Sequence, residues 1–544
     1  MLFNSIEFIL VFLPFVIAGY YILRNVTMFR AALLWLSISS LFFYAWWNPK
    51  YLPLLAGSIL FNFFLGKLLA KHHLRYIFLV LGISTNLCII ALYKYLGFFA
   101  SIASSITGAT LDLPAIILPL AISFFTFQQI AYLVDTFRTG SAEKRFDRYL
   151  LFVTFFPQLI AGPIVKHSDV ASQFELLESR RIPLNQISAG LLLFSIGLAK
   201  KVLIADQLAP YATPVFASAD QGSEITLLES WGGLLAYTFQ LYFDFSGYAD
   251  MALGIAKMFG INLPKNFNSP YQATSIIEFW RRWHITLSNF LRDYLYIPLG
   301  GNRKGSRSAN LVTTMLLGGL WHGAGWNFII WGGLHGLFLM INHQWILIRN
   351  AISSRGYAEG YQLHTTAGVA VSSDSINAGN DTERSATRRP SRIWIKFSCL
   401  PGMVITFLAV CSAWAFFRAE TLQGALSILQ GFYGFNGILL PEKITHIAPV
   451  LFSDFTESNR GDALGVFPHL KGFLLIAIAM AIAFLTPNSN QICSRCFPTE
   501  ESGTVIERRS ILAYAWMICA GIAITLCLKT LAFTQSSEFL YFNF

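Results

Sequence analysis

The stretch 317-LGGLWHGAGWNFIIWGGLHG-336 sets His322 and His335 inside an apolar run that holds three tryptophans, seven glycines and no formal charge. A neutral imidazole is the side chain best suited to take a proton from a hydroxyl near neutral pH. A polar group deep in an apolar run is costly, and by default it marks function. The apolar run begins near Ala309. Helical rise of about 1.5 Å per residue carries the chain roughly 20 Å inward before His322 is reached. Gly318, Gly319, Gly323 and Gly325 thin the helix and let another backbone or a ligand approach. Trp321 and Trp326 are expected to wall the site, which makes a water-excluding cavity around one imidazole. On a continuous helix His335 points about 220° away from His322, so the two share a site only if the segment bends. As metal ligands they lack i, i+4 spacing and a nearby Cys or carboxylate, so no metal site is expected.

A second candidate is 276-IIEFWRRWHITLSNFLRDYLYIPLGGNRKG-305. At helical spacing Phe279, Trp283, Leu287, Phe290 and Leu291 share one face, while Arg281, Arg282, Asn289 and Arg292 are more polar. This reads as a helix in the membrane interface, its cations toward the headgroups. With His284, the arginines can grip an anionic group at the cytoplasmic mouth, and Asn302, Arg303 and Gly305 fit a tight turn that closes it. A third cluster, 240-QLYFDFSGYADMALG-254, puts Asp244 and Asp250 in an apolar segment. Carboxylates there face a partner or a cavity, so they offer a polar network, an acceptor-binding wall or a proton path. There is no Gly-x-Ser-x-Gly elbow, phosphate loop or dinucleotide fingerprint.

The elements that must position these residues are membrane helices. The chain has 544 residues, 55% hydrophobic and 12% charged, where soluble domains carry about 25% charged residues. Candidate spans fall near 6–23, 31–48, 51–69, 76–99, 113–135, 147–165, 185–204, 228–258, 309–342, 395–417, 470–486 and 511–533. The fold class is therefore an all-α polytopic integral membrane protein of about 10–12 transmembrane or re-entrant helices. The runs 228–258 and 309–342 are long enough to bend, re-enter or split. Residues 1–350 form the first part of the core, 351–392 a polar flexible linker, and 393–544 the closing helices. Arginines in that linker favour the cytoplasm, so 309–342 is expected to enter and return. Arg24, Arg30, Lys67, Lys71, Arg75, Arg138, Lys144, Arg145 and Arg148 mark alternate loops as cytoplasmic, which leaves the N-terminus outside.

The net charge of +10 is explained by those loops and by anionic headgroups of the membrane lipid; no nucleic-acid surface stands out. Of seven cysteines, five lie in apolar runs and Cys493 with Cys496 forms a lone CxxC, a weak metal or redox signal. The first span lacks a basic start and a cleavage site, so no removable signal is expected. No repeat and no paired broken helices point to an inverted-repeat transporter.

The motifs EFWRRWHITLSNFLRDYLYIPLGGNRKG and LWHGAGWNFIIWGGLHG resemble the membrane-bound O-acyltransferase family, closest to its branch that O-acetylates bacterial alginate. The stretches 119-PLAISFFTFQQIAYLVDTFR-138, 155-FFPQLIAGPIV-165, 240–254 and 539-FLYFNF-544 agree. The resemblance implies a ring of helices with a thinned, funnel-like centre in the bacterial inner membrane. It implies that no cofactor is held, that an acetyl-CoA-like thioester donates from the cytoplasm, and that the acceptor is a polysaccharide. It further implies periplasmic partners with SGNH-hydrolase-like domains that finish the transfer. The family's essential histidine falls on His322 and a supporting position on His284. Trp280, Arg281, Arg282, Asn289, Asp244, Trp321 and Trp326 are the expected substrate contacts. Ala121 stands where glycine is expected, a departure that should only tighten packing, and the 351–392 linker is an insertion. Gly-Gly-Asn-Arg-Lys-Gly follows the alginate pattern over that of teichoic-acid D-alanylation. The competing class is a proton-coupled exporter of a lipid-linked sugar, for which Asp244 and Asp250 would be essential and His322 dispensable.

Overall fold

A computed structural model of the chain describes all residues except 26–27, 72, 110–116, 161, 180, 367–398, 439–469, 499–505, 535–536 and 541–544. Every regular element among the described residues is a helix, as expected where lipid offers the backbone no hydrogen-bond partner. Six helices are long and apolar enough to cross a membrane, and a pair bent by 53° makes a seventh when counted as one broken span. The chain is a multi-pass membrane protein.

The first elements are helical hairpins. A π turn at Phe8–Phe12 leads into α1 (Leu13–Asn25), followed by α2 (Phe29–Ala45), α3 (Leu52–Lys71) and α4 (Arg75–Ile90). A π turn at Ala91–Tyr95 joins α4 to α5 (Leu96–Thr107) as one apolar span. Next come α6 (Ile122–Thr139), α7 (Phe146–Thr154) and α8 (Phe156–Leu159). The span expected at 147–165 is thus not continuous. Phe155 leaves helical geometry before Pro157, and the chain from Gly162 to Val165 is irregular yet buried. Pro157 and Pro163 have no backbone N–H to give a helix, so this segment cannot run on as one span.

The centre of the molecule is built by α9 (His167–Ser179), α10 (Leu184–Ala199), a π turn at Lys200–Ala205, α11 (Asp206–Asp220) and α12 (Leu227–Met258). The long run 228–258 does not split. It is one helix, started by a capping box between Thr226 and Glu229 and buried along nearly all its length. Its place is set by its packing on α10. A side chain at Gly190 or Gly197 would collide with the carbonyl of Gly254 or Gly247, and the reverse holds for Gly254 and Gly247. Glycines one heptad apart on each helix therefore let the antiparallel backbones touch. That contact brings the π turn after α10 against the acidic stretch of α12. Lys201 Nζ lies 2.5 Å from Asp244 and 2.9 Å from Asp206, and Lys200 Nζ lies 2.6 Å from Asp250.

The segment expected to be one interfacial helix at 276–305 is broken into α13 (Ile276–Trp280), α14 (Ile285–Leu291) and a π turn at Arg292–Tyr296. The break falls on His284, held in the left-handed region at φ 41. Then come α15 (Arg307–His322) and α16 (Trp326–Thr366). These two pack antiparallel: Gly319 lies against the Phe328 carbonyl, Gly332 against the Met315 carbonyl and Gly336 against Val312. The run 309–342 is therefore a helical hairpin. Residues of the expected linker up to Thr366 continue α16, and 367–398 lies outside the described residues. The closing helices are α17 (Leu400–Arg418), α18 (Leu422–Phe432), α19 (Leu470–Leu485), α20 (Ser489–Cys496) and α21 (Ile506–Phe533). Residues 537–540 return to the centre, where Ser537 and Leu540 bond to the ion pairs around α12. The rest of the FLYFNF motif, 541–544, lies outside the described residues.

Candidate active site

His322 is the last residue of α15, and Gly323 after it is extended, at φ −161 and ψ 150. The histidine is 3% exposed. It packs edge-on against Trp331 at 5.0 Å and Phe417 at 5.2 Å, and lies 4.8 Å from Trp321. The break at 323–325 reverses the chain, so α16 lies beside α15 and His335 reaches the same cluster. His335 is fully buried, 4.8 Å from Trp331 and 5.2 Å from Trp280. The two histidines thus flank one indole, which a continuous helix would have forbidden.

His284 reaches the cluster from the start of α14. It is fully buried, with Trp321 at 6.3 Å and Phe245 of α12 at 4.8 Å. Its tautomer follows from its partner. Asn266 Oδ1 accepts from Thr286 N at 3.3 Å and from Thr286 Oγ1 at 2.9 Å. The backbone N–H can only donate, so the atom facing it is the amide oxygen. His284 Nδ1 lies 3.1 Å from that oxygen and must donate to it. The proton therefore sits on Nδ1, and Nε2 carries the lone pair. A left-handed, non-glycine backbone at such a site is held by its surroundings: Ile285 N donates to the Asn266 carbonyl at 3.0 Å, and Asn268 N to the Arg282 carbonyl at 2.9 Å.

The expected substrate contacts divide. Trp280 and Trp321 are buried in the cluster with the histidines. Trp326 is 58% exposed and packs on Phe98, so it does not wall His322; Trp331 and Phe417 do, with Trp414 stacked behind Trp331. The helical phase restarts after the break, which is why a wheel drawn through it selects the wrong tryptophan. Arg281 is exposed, whereas Arg282 is paired with Glu278 at 2.6 Å. Asn289 is half-buried on α14. Asp244 is engaged by Lys201 and by Leu540 N at 3.0 Å, and none of its described contacts is with the histidine cluster.

At the end where α15 begins, the ion pairs form a rim. Asp293 holds Lys166 at 2.7 Å and Arg292 at 2.7 Å, and Tyr294 donates to Asp135 at 2.6 Å. Burial alone would raise the Asp293 carboxyl, but the hydrogen bonds from Arg292 and Lys166 outweigh it and hold it below the usual carboxylate range. Gly300, Gly301 and Gly305 have positive φ in the turn that follows, the tight closure expected of GGNRKG.

Beyond Trp331 and Phe417, sequence reasoning misses Asn266 and Lys94. Asn266 lies in a loop with no motif around it. Lys94 sits within an apolar span, yet its Nζ donates to the Trp321 carbonyl at 2.5 Å and the His322 carbonyl at 3.3 Å. The signal available for Lys94 is a lone cation in a long hydrophobic run.

The arrangement is a buried imidazole in an aromatic sleeve, with a second imidazole of fixed tautomer nearby. It suits proton transfer to or from a hydroxyl away from water. Among known proteins, residues 144–356 match the model of the membrane-bound O-acyltransferase family. Over 526 residues the chain is 39% identical to a peptidoglycan O-acetyltransferase of Helicobacter pylori, covering 90% of each chain. Over 454 residues it is 38% identical to a Pseudomonas aeruginosa protein named "Probable alginate O-acetylase AlgI", covering 81% of this chain and 76% of that one. A teichoic acid D-alanyltransferase of Streptococcus thermophilus is 28% identical over 244 residues, 43% of this chain and 59% of that one.

Proposed function

This chain belongs to the membrane-bound O-acyltransferase family and is an O-acyltransferase; from that premise we propose that it carries acetyl groups across the bacterial inner membrane to an envelope polysaccharide. The observation that carries the reading is the place of His322. It ends a helix that begins at Arg307, so it lies roughly 20 Å from the rim, buried among aromatic rings. The arginine-rich rim faces the cytoplasm by the distribution of basic residues. A thioester such as acetyl-CoA enters there, with exposed Arg281 available to its phosphates; Arg282 joins only by releasing Glu278.

His322 takes the proton of an acceptor hydroxyl as the hydroxyl oxygen attacks the thioester carbonyl. The C–O bond forms, the C–S bond breaks, and the thiolate leaves toward the cytoplasm. His284 Nε2 offers a second basic nitrogen beside Trp321. The acceptor hydroxyl belongs to the polysaccharide or to a periplasmic partner of the SGNH-hydrolase type that finishes the transfer. Pairing of Asp244 and Asp250 with Lys201 and Lys200 supports a structural role for both carboxylates over proton carriage by an exporter.

The acceptors named by the two O-acetylating relatives are both testable, and peptidoglycan comes first because that similarity spans 90% of both chains. The experiment compares O-acetyl content of peptidoglycan and of secreted polysaccharide in wild type and in His322→Ala, at equal membrane protein level. Loss of acetyl from one polymer, with polymer yield unchanged, is expected. Full acetylation in the His322→Ala strain would remove His322 from the mechanism.

A further inference from the structure

The last carbonyls of a helix have no partner within it. They are often satisfied when a left-handed glycine folds the chain back onto them. Helix α15 lacks that device, since Gly323 is extended. Its end is capped instead by two consecutive side chains from another span. Tyr95 Oη donates to the Leu320 carbonyl at 2.9 Å, and Lys94 Nζ donates to the carbonyls of Trp321 and His322. The Lys94 ammonium also lies 5.8 Å from the centre of the Trp321 ring. Both side chains leave the π turn at Ala91–Tyr95, a distortion found mostly as single turns and frequently at functional sites.

From this we infer that Lys94 and Tyr95 are positioning residues, which fix the imidazole of His322 by clamping the final turn of α15. The inference rests on the reading of His322 as the base. A cation at a helix C-terminus meets the negative end of the dipole and donates to carbonyls that the helix itself cannot satisfy. An ionisable side chain in a membrane span is costly, so its retention needs a return. The turn it holds is the one from which His322 projects, directly before the break at 323–325, where the chain would otherwise be free to shift. The hydrogen bonds described for both side chains go to backbone carbonyls of the last turn of α15.

The test uses the full chain in inside-out membrane vesicles, with acetyl-labelled acetyl-CoA as donor and label in envelope polymer as readout. Folded protein is measured in parallel by thermal unfolding after solubilisation. Lys94→Met removes the donor and keeps the bulk. It is expected to lower kcat about 10- to 100-fold, the effect of a shift of about 1 Å in a catalytic group, with KM for acetyl-CoA unchanged. Lys94→Arg, which keeps a cationic donor, should recover much of that loss, and Tyr95→Phe should lower kcat less than Lys94→Met. The inference is overturned by a kcat within about twofold of wild type per folded molecule in Lys94→Met, far short of that expected loss. It is equally overturned by a rise in KM at constant kcat, or by a loss that merely follows the amount of folded protein. His322→Ala in the same vesicles separates the two readings. If that variant is inactive while Lys94→Met is normal, only the clamp fails; if His322→Ala is active, the base fails and the clamp has nothing to position.

Discussion

The basic nitrogen of His284 is Nε2 because Asn266 Oδ1 accepts from Nδ1, and Asn266 is in turn oriented by Thr286. Asn266→Ala should therefore cost roughly 1–3 kcal/mol for each buried donor left without an acceptor, and acetylation should fall by about tenfold or more. Acetyl content and thermal midpoint measured together check this; unchanged values for both would show that the tautomer is set elsewhere. Ala121 differs in kind. It holds a left-handed backbone, at φ 59 and ψ 14, just before α6. An L-residue there costs about 1–2 kcal/mol relative to glycine, so the alanine carries backbone strain beside its packing on the core. Ala121→Gly should raise the unfolding temperature with no change in acetylation. At this scale the burial of His322 was legible in the sequence, because it lies well inside an apolar run. Asn266 was not, because its part lies in a contact across 18 positions of chain, most of them irregular. Trp331 was hidden behind Trp326 because the break after His322 resets the helical phase.

At the scale of elements, three of the four π turns among the described residues carry charged side chains: Lys94 on one, Lys200 and Lys201 on another, Arg292 and Asp293 on a third. Each turn sets a charge against a distant element, where a regular helix would have rotated it elsewhere. Lys201 is the most committed, with a side chain 3% exposed between two aspartates. Lys201→Met would leave Asp244 buried without its counter-charge and should cost about 3–5 kcal/mol. Adding Asp244→Asn removes the stranded charge, so the double variant should be more stable than Lys201→Met alone. Thermal unfolding of the three proteins decides it; equal losses in the single and double variants would mean that the stranded Asp244 charge is not what destabilises Lys201→Met. Most helix positions were legible from apolar run length. The failures at 147–165 and 276–305 differ in cause: the first is an apolar run broken near Pro157, which hydrophobicity alone does not show, and the second is an amphipathic pattern interrupted at His284, whose left-handed backbone a helical periodicity does not reveal.

At the scale of the molecule, the ends separate by charge. Arg24, Arg75, Arg138 and the Asp293 rim gather at one end, where Arg75 bonds the Phe137 carbonyl and Arg138 the Asp293 carbonyl. Tyr51 with Ile117, and Asp220 with Thr421, meet at the other. Cysteines introduced at Lys71 and at Gln221, with Cys88, Cys399 and Cys519 replaced by alanine, should label from opposite sides of intact cells and inverted vesicles. Labelling from the same side would overturn the orientation used for the donor. Charge in the loops gives the expected direction of the early spans, which the labelling experiment tests. The meeting of α10, α12 and residues 537–540 was not legible, since it depends on glycine contacts between segments far apart in the chain.

The segment 537–540 has a consequence in time. Ser537 bonds Asp206 and Lys201, its carbonyl takes a bond from Asn4, and Leu540 bonds Asp244. During synthesis every one of those partners emerges long before the segment that completes them. Until it arrives, the centre of the protein holds a lysine and two aspartates with their hydrogen bonds incomplete. A chain halted short of Ser537 therefore leaves Lys201, Asp206 and Asp244 in its interior without these hydrogen bonds.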